Sequence, residues 1–453
     1  MSIKHINGDN PRVYSDAEVQ GLERDARKYL AGSGLPYFDE VITRADGLYI
    51  YTAKNHKILD WTSGQMSCLL GHGHPEVVSV INESAKHLDH LYSGMVSPPV
   101  ISLAKRLASV LPRPLSKSLF LSTGGESNEA AIRMAKAYTG KFEIVGLGAS
   151  WHGVTAQAQG AQYTHGRRGC GPLMPGMHQL PTPNAYRSVF RKPDGSHDWE
   201  TEMDHGWQMI DMASCGSLCA CIVECIQSAG GMHVLPPGYL TALKKHCEAR
   251  DMLLIVDEAQ TGIGRAGDLF AFQHENVVPD ILTLSKTLGN GVPVSAVVTS
   301  PEIESVANKN GFFFATTHLN DPLPAAVGDR VLEIVLRDGL VENSRRMGLS
   351  LQEGLKKLQA RYGCIGDVRG RGLMAGVEIV ADRDTKALSP KLAQEISDKT
   401  YASGLWANIS GQPSAGGILR IAPPITTTEK EIEEGLAILE KALATTAGSA
   451  PLY

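Results

Sequence analysis

The sequence predicts an α/β protein whose large domain is built on a mostly parallel β-sheet. From about residue 115 to 300, short and nearly continuous apolar runs alternate with helical stretches, a pattern typical of strands covered on both faces. Before residue 60 the pattern favours antiparallel strands, and after about residue 325 long amphipathic helices mix with strands. We therefore expect an N-terminal segment (1–60) that packs with the small domain, a large domain (61–325) and an α+β small domain (326–453).

Composition narrows the class of protein. The chain has 453 residues, of which 43% are hydrophobic, so a sizeable core needs no disulfide or metal. A net charge of -5 without a basic cluster argues against a nucleic-acid partner. No apolar run approaches the roughly 18 residues that span a bilayer, and the N-terminus lacks the apolar core of a secretory signal. We expect a cytoplasmic enzyme that contacts neither nucleic acid nor membrane.

The individual elements follow from these patterns. The N-terminal segment predicts antiparallel strands in Gly47–Lys57 and Ile58–Trp61 with a turn at Lys54–Asn55. The strands predicted for the large domain are Ser118–Ser122, Glu143–Leu147, Cys219–Glu224, Leu253–Asp257, Ile281–Ser285 and Val294–Thr299, with helices such as Glu126–Tyr138 and Pro237–Arg250 between them. The elements predicted for the small domain are helices Pro324–Arg337, Leu340–Arg361 and Thr428–Ala444, a strand pair around Cys364–Val380 and a strand at Gly416–Ala422.

Four of the eight cysteines cluster but do not predict a metal site. The spacing of Cys215, Cys219, Cys221 and Cys225 fits no common zinc pattern. Within LCACIVEC the cysteines alternate with apolar residues, which favours a buried strand. We expect free thiols in a reducing compartment.

The segment Leu119–Ala131 (LFLSTGGESNEAA) is a candidate phosphate site. An apolar strand leads through Ser-Thr-Gly-Gly into a helix, and the free N–H groups at a helix start bind anions. Glycine lets the backbone approach a phosphate closely. The segment matches neither a Walker loop nor G-x-G-x-x-G, and taken alone it also fits a generic strand–turn–helix.

Two further strand ends carry candidate chemistry. Asp257 and Glu258 end the run LLIVDE, where a buried acid needs a cation or hydrogen-bond donor, although a helix N-cap or a solvated turn would explain them equally. Lys286 follows the run ILTLS and precedes a glycine-rich turn. Most lysines are solvated, but one at the end of a core strand can have its pKa lowered and serve as a Schiff-base nucleophile.

The order of these motifs resembles pyridoxal-phosphate (PLP) enzymes with the aspartate-aminotransferase fold, also called fold type I. Within that fold the chain is similar to class III aminotransferases from about Tyr37 to Leu443. The stretches that carry this similarity are LGHGHPE (70–76), STGGESNEAA (122–131), DEAQTGIGR (257–265), LSKTLGNG (284–291) and GDVRGRGLMAGVE (366–378). Asp257 and Lys286 also stand 29 residues apart, a spacing that suits the superfamily.

The resemblance implies a role for each matching residue. Lys286 would bind PLP as a Schiff base and then move protons, and Asp257 would pair with the pyridine nitrogen. Gln260 would hydrogen-bond the ring hydroxyl, and Trp151 would stack on the ring face. The phosphate-binding residues would be Thr123, Gly124 and Gly125, together with Thr317 of a neighbouring subunit. This last role implies a homodimer or a tetramer built from dimers.

Four segments look less like ordinary aminotransferases and more like the 2,2-dialkylglycine decarboxylases of the family: 60–81, 88–95, 315–328 and 419–426. Such an enzyme couples decarboxylation of an amino acid such as 2-aminoisobutyrate or isovaline to amination of the 2-oxo acid pyruvate. Decarboxylation requires the C–CO2 bond to stand perpendicular to the cofactor ring. Gln65 would hydrogen-bond the carboxylate in that position, and Arg420 would clamp a carboxylate near the ring plane. Without the family match, Gln65 would be a turn residue and Arg420 a surface ion-pair residue.

The resemblance also implies an alkali metal ion, K+ or Na+. The matching ligands are the main-chain groups of Leu91 and Leu319 and the side chains of Ser93, Thr317 and Asp321. A set of oxygen atoms with one carboxylate suits a weakly held monovalent ion. Taken alone, Asp321 before Pro322 would be a turn residue.

Two departures from the family pattern concern the substrate wall. Val154 stands where the family has methionine, while Ala229 and Cys225 replace a serine and a proline. We expect the preferred amino acid to carry an α-substituent bulkier than methyl. One alternative is an aminotransferase that never decarboxylates; Gln65 argues against it, while Val154 and Ala229 leave it open. A second is a non-catalytic homologue, which would need to have lost Asp257 or Lys286.

Overall fold

The N-terminal part of the protein forms a small antiparallel sheet. The computed structural model describes residues 13–447 except 36, 39, 163–170, 173 and 411–416. Its first elements are α1 (Asp16–Tyr29), β1 (Ile42–Asp46), β2 (Tyr49–Thr52) and β3 (Lys57–Asp60). The predicted antiparallel pair is confirmed as β2 and β3, and Asn55 adopts a positive φ of 63° in the turn between them. Strand β1 was not predicted.

The central sheet has seven strands, and the carboxyl ends of its parallel strands position the candidate active site. In chain order the strands of this region are β4 (Lys117–Leu121), β5 (Glu143–Leu147), β6 (Met177–Leu180), β7 (Leu218–Val223), the hairpin β8 (Ile226–Gln227) and β9 (His233–Val234), β10 (Leu253–Asp257), β11 (Ile281–Leu284) and β12 (Ser295–Thr299). The sheet order is β4-β12-β11-β10-β7-β5-β6, and only the pairings made by β12 are antiparallel. The prediction of a mostly parallel sheet is confirmed.

The six predicted strands end within one residue of the observed ones. Strand β6 was missed because its sequence MHQL carries polar residues, as an edge strand can. The cysteine prediction is confirmed for Cys219 and Cys221, which are buried free thiols on β7, whereas Cys215 before the strand is exposed.

Apolar side chains are buried on both faces of this sheet. Along β10, Leu254 and Val256 belong to one hydrophobic cluster, while Ile255 belongs to the other. The helices of the region are α2 (Ser63–Met66), α3 (Pro75–His87), α4 (Pro98–Val110), α5 (Gly124–Thr139), α6 (Ala156–Gly160), α7 (Trp199–Ala213), α8 (Tyr239–Glu248) and α9 (Pro301–Lys309), with short 3-10 turns at Ala271–Glu275 and Lys286–Leu288. Burial on both faces explains why the strands are apolar throughout.

The C-terminal part is an α+β unit. Its helices are α10 (Pro322–Arg337), α11 (Leu340–Arg361), α12 (Pro390–Ala402) and α13 (Glu429–Ala447). Its strands are β13 (Ile365–Gly370), β14 (Ala375–Asp382), β15 (Ala387–Leu388), β16 (Leu405–Trp406), β17 (Asn408–Ser410) and β18 (Ile418–Ile421). The predicted bounds of α11 are those observed, while α12 was not predicted.

One strand of the C-terminal part completes the N-terminal sheet. Strand β16 pairs in parallel with β3, so that Leu405 is opposite Leu59 and Trp406 opposite Asp60. Phe38 adds an edge-to-face contact with Trp406 at 4.8 Å between ring centroids. The domain boundaries given above stay a prediction. Across the described ranges, every helix is too short or too polar to cross a membrane.

Candidate active site

A cavity of about 280 Å³ opens at the carboxyl ends of the parallel strands. Its walls come from the residues that follow β4, β5, β10 and β11, which is where open α/β sheets bind ligands. The predicted site residues that line it are Thr123, Gly124, Gly125, Trp151, Asp257 and Lys286. The fold therefore brings together motifs that stand up to 163 residues apart in the sequence.

One end of the cavity is the start of helix α5. Thr123 caps this helix and forms a reciprocal pair of hydrogen bonds with Glu126. A Cβ atom on Gly124 would lie 2.8 Å from Ser285 Oγ, and one on Gly153 would lie 2.5 Å from the Cα of Gly125. Only glycine fits these two positions without a shift. The amides of a helix start, packed this closely against neighbouring loops, form an anion-binding cradle.

Asp257 lies at the end of β10 in a buried hydrogen-bond network. Its Oδ2 atom accepts a hydrogen bond from Asn128 Nδ2 at 2.7 Å and lies 2.8 Å from His152 Nδ1, while its Oδ1 accepts from the amide of Ala259. Asn128 also accepts from Thr283 Oγ1 at 2.6 Å. These contacts hold a buried carboxylate in one orientation. The sequence analysis did not single out Asn128, because a polar residue in a predicted helix is usually expected to face solvent.

Lys286 follows β11 with an unusual backbone. Its φ is 24°, a region that residues other than glycine rarely adopt, and such strain concentrates at functional sites. Burial lowers the pKa of Lys286, the charges of Asp257 and Glu224 oppose this effect, and the charge of Arg420 adds to it. A buried amine with a lowered pKa is available as a nucleophile and as a proton acceptor.

Glu224 and Arg420 are two further buried charges near Lys286. Burial raises the pKa of Glu224 to about 7, and the Trp151 amide donates to its Oε1 atom at 2.9 Å. Burial lowers the pKa of Arg420 to about 10, opposed by the charge of Glu224. Arg420 Nε has no hydrogen-bond partner among the described residues. A buried guanidinium with an unpaired donor is suited to a carboxylate ligand.

Other predicted residues lie outside the cavity wall. Gln260 is buried, and its Oε1 atom has no partner in the described part of the chain. Gln65 is exposed, although the next residue but one, Ser67, lines the cavity. Thr317 is exposed as well. Val154, expected in the substrate wall, is 71% exposed in this chain.

The two segments of the predicted alkali-metal site lie close together. Ser93 Oγ donates to the carbonyl of Thr316 at 2.9 Å, and Asp321 is buried. The Asp321 carboxylate lies 2.6 Å from His90 Nδ1 and 2.5 Å from His318 Nδ1. Asp321 precedes helix α10, but its side chain does not cap the helix. The predicted metal ligands are all oxygen atoms. The prediction therefore omitted the imidazole rings of His90 and His318, which contact the one carboxylate in the set, that of Asp321.

Comparison with known proteins assigns this fold and site to a class. Residues 32–443 match the family model for class-III aminotransferases. The chain therefore belongs to the class III aminotransferases, which are PLP-dependent enzymes of fold type I.

Individual relatives agree with this assignment. The chain is 50% identical to an uncharacterized aminotransferase of Schizosaccharomyces pombe over 93% of this chain and 94% of that protein. It is 32% identical to the mitochondrial alanine–glyoxylate aminotransferase 2 homolog 2 of Arabidopsis thaliana, over 93% of this chain and 87% of that protein. Among solved structures, a PLP-bound amine transaminase from an uncultivated Pseudomonas species superposes with a TM-score of 0.83 at 29% identity, covering 92% of this chain and 98% of that chain.

The cavity fits PLP. The helix start at Thr123 suits the phosphate, and Asp257 suits a protonated ring nitrogen. Three buried polar atoms near these residues have no partner among the described residues: Ser285 Oγ, Gln260 Oε1 and His152 Nε2. When bound, PLP supplies an aldehyde that Lys286 or a substrate amine can bond and a ring that accepts electrons.

Proposed function

We propose that this enzyme decarboxylates a 2,2-dialkylglycine, such as 2-aminoisobutyrate or isovaline, to a ketone and CO2. In the second half of the cycle it would pass the amino group to pyruvate and form alanine. The observation that carries the proposal is the turn that presents Gln65, considered together with Arg420.

The turn that contains Gln65 (residues 63–66) has a strained backbone, and contacts at its first and last residues hold it in place. Ser63 and Met66 have φ values of 44° and 61°, and Gly64 and Gln65 depart from helical geometry inside α2. Ser63 Oγ donates to the carbonyl of Ala422 at 2.9 Å, and Ser228 Oγ lies 3.4 Å from Met66 Sδ. A strained turn that is held by buried neighbours is typical of a functional site, and this turn carries the exposed side chain of Gln65.

The same contact links the turn to the strand of Arg420. Ala422 stands two residues after Arg420, so a hydrogen bond from Ser63 fixes the distance between the Gln65 turn and the end of β18. Arg420 would clamp a carboxylate near the ring plane, while Gln65 would bind the one that leaves. Lys286 would return a proton from its protonated form after CO2 departs, and the charges of Asp257 and Glu224 favour that form.

The test measures CO2 and alanine together. The holoenzyme is incubated with 2-aminoisobutyrate and pyruvate, and we expect equal amounts of CO2, acetone and alanine. Gln65→Ala should slow CO2 release about tenfold to a hundredfold, the cost of one hydrogen bond to a charged group. The exchange of amino groups between alanine and pyruvate should persist in this variant, because it breaks no C–CO2 bond.

The alternative is a class III aminotransferase that transfers an amino group without decarboxylation. It is favoured by the 71% exposure of Val154, because in this chain that residue is not part of the cavity wall whose change was expected to admit a bulkier substrate. Alanine formation from an ordinary amino donor, with no CO2 from 2-aminoisobutyrate or isovaline, would establish it. A higher turnover of 2-aminoisobutyrate than of isovaline would instead refute only the expected preference for the bulkier substrate.

We also propose that an alkali ion binds where residues 91–93 meet residues 317–321. Support comes from the buried carboxylate of Asp321 and from the hydrogen bond that joins Ser93 to Thr316. The ion would be held by the main chain of Leu91 and Leu319, by Ser93 and Thr317, and by Asp321. Activity compared in potassium, sodium and tetramethylammonium salts tests this, with Asp321→Asn expected to abolish the difference.

The assembly and location of the enzyme complete the proposal. We expect a homodimer or a tetramer made of two dimers, because Thr317 is exposed in one chain and would reach the phosphate site of a neighbour. Light scattering on the holoenzyme measures this. The described cysteines are free thiols, which fits a reducing cytoplasm.

A further inference from the structure

Two imidazole rings and a carboxylate converge where residues 88–93 meet the start of helix α10. His90 Nδ1 lies 2.6 Å from Asp321 Oδ1, and His318 Nδ1 lies 2.5 Å from Asp321 Oδ2. The two rings are neighbours, with 5.0 Å between their centroids. One ligand atom from each of the three residues lies within 4.8 Å of the other two. The three side chains are therefore close enough to share a single metal ion.

Other contacts hold the two segments that carry these ligands. The amide of Asn320 donates to the Phe120 carbonyl at 3.0 Å, and the Phe120 amide donates to Asn320 Oδ1 at 3.0 Å, so this segment is fixed to strand β4. Ser93 Oγ donates to the Thr316 carbonyl at 2.9 Å and ties the first segment to the second. Because none of these bonds uses the ligand atoms, the three ligands are preorganised for binding.

The burial of the three side chains suits an ion that enters from solvent. The side chain of Asp321 is 6% exposed, whereas those of His90 and His318 are 45% and 59% exposed. A tetrahedral zinc ion with bonds of about 2.0–2.1 Å holds its ligand atoms about 3.3 Å apart, which is further than the 2.5 and 2.6 Å between these nitrogen and oxygen atoms. The exposed rings can move outward by this difference while the buried carboxylate stays in place.

The types of ligand favour a transition metal. Imidazole nitrogen suits zinc and its neighbours in the first row, whereas magnesium and calcium prefer sites made of oxygen atoms. An aspartate at the start of a helix usually accepts a hydrogen bond from a helix amide, but Asp321 does not cap α10. Both of its oxygen atoms are directed at imidazole rings instead. Three protein ligands, two of them imidazoles, with room for a water molecule form a typical open zinc site.

We propose that His90 Nδ1, His318 Nδ1 and the Asp321 carboxylate bind one zinc ion per chain, and that this ion competes with the alkali ion for Asp321. The competition rests on the alkali site proposed above, whereas zinc binding itself does not. Zinc withdraws Asp321 from the alkali ion, so zinc inhibits the enzyme and potassium relieves the inhibition.

Zinc binding is measured directly on the untagged holoenzyme. The protein is dialysed at neutral pH against zinc chloride in tetramethylammonium chloride, and the bound metal is counted by elemental analysis. His90→Gln and His318→Gln should each weaken zinc binding by at least about a hundredfold, since even a group that only supports a metal ligand is worth about tenfold to a hundredfold. The matched control is His87→Gln, which removes an exposed imidazole that lies 3.1 Å from the carboxylate of Glu83, and it should bind zinc as the wild type does.

Equal zinc affinities of the wild type and the folded His90→Gln and His318→Gln variants would overturn the zinc site, as would a wild type that binds no zinc. The two rings would then serve only as hydrogen-bond partners of Asp321. Replacing tetramethylammonium by potassium should raise the Kd for zinc. The same Kd in both salts would refute the competition and the alkali site but not the zinc site. Bound metal is counted without turnover, so the outcome is independent of whether the enzyme decarboxylates its substrate.

Discussion

Asn128 is one of two side chains that orient the carboxylate of Asp257. Replacing it with alanine removes the hydrogen bond to Asp257 Oδ2 at 2.7 Å and leaves the buried Thr283 hydroxyl without its acceptor at 2.6 Å. A hydrogen bond to a charged group contributes about 1.5–3 kcal/mol. Because Asp257 would hold the proton on the pyridine nitrogen of bound PLP, we expect Asn128→Ala to weaken PLP binding by about tenfold to a hundredfold.

The assay is titration of the apoenzyme with PLP, followed by the absorbance of the bound cofactor. Thr283→Val is the control, since it removes the same hydroxyl contact but keeps the hydrogen bond from Asn128 to Asp257, and it should bind PLP nearly as tightly as the wild type. Circular dichroism checks that both variants fold. An unchanged PLP dissociation constant in a folded Asn128→Ala would refute the role of this network.

Three further predictions concern single positions. Gly124→Ala should weaken PLP binding more than Gly125→Ala. A Cβ atom on Gly124 would lie 2.8 Å from Ser285 Oγ, whereas the nearest atom to a Cβ on Gly125 would be 3.6 Å away. Equal affinities of the two variants for PLP would contradict this. Burial raises the pKa of Glu258 from 4.5 to about 7, so folding favours its protonated form and the wild type loses stability as pH rises through that range. Glutamine does not titrate, so the Tm of Glu258→Gln relative to wild type should increase between pH 5 and 8. Arg420→Lys should raise the KM for the 2-oxo acid about tenfold with a smaller change in kcat, since lysine cannot form a bidentate pair.

The large sheet was predictable because its strands are buried on both faces. Runs such as 253–256 are apolar at every position, and this burial makes their ends visible in the sequence. Strand β1 (ITRAD) and strand β6 (MHQL) were missed because they are partly exposed and carry polar residues. The order of the strands and the β3–β16 pairing depend on contacts between distant segments, which a pattern of local periodicity does not contain.

The site was predictable only where chemistry stands at a strand end. Asp257 ends one buried strand and Lys286 follows another, and the family resemblance gave them roles. Glu224 follows a buried strand in the same way, but it was not singled out; Asn128 carries no such signal, because a polar residue inside a helix is ordinary until its buried partners are known. The fold class and the aminotransferase family predicted from these motifs are confirmed, while decarboxylation stays a prediction.

The pairing of β3 with β16 has a consequence for synthesis of the chain on the ribosome. The edge of β3 that receives Leu405 and Trp406 is made early, whereas its partner is made about 345 residues later, when most of the chain has already emerged. Until then the N-terminal sheet has an unpaired edge, which is a template for association with other chains. A nascent or truncated chain that ends before residue 405 should therefore be prone to aggregate and to bind chaperones.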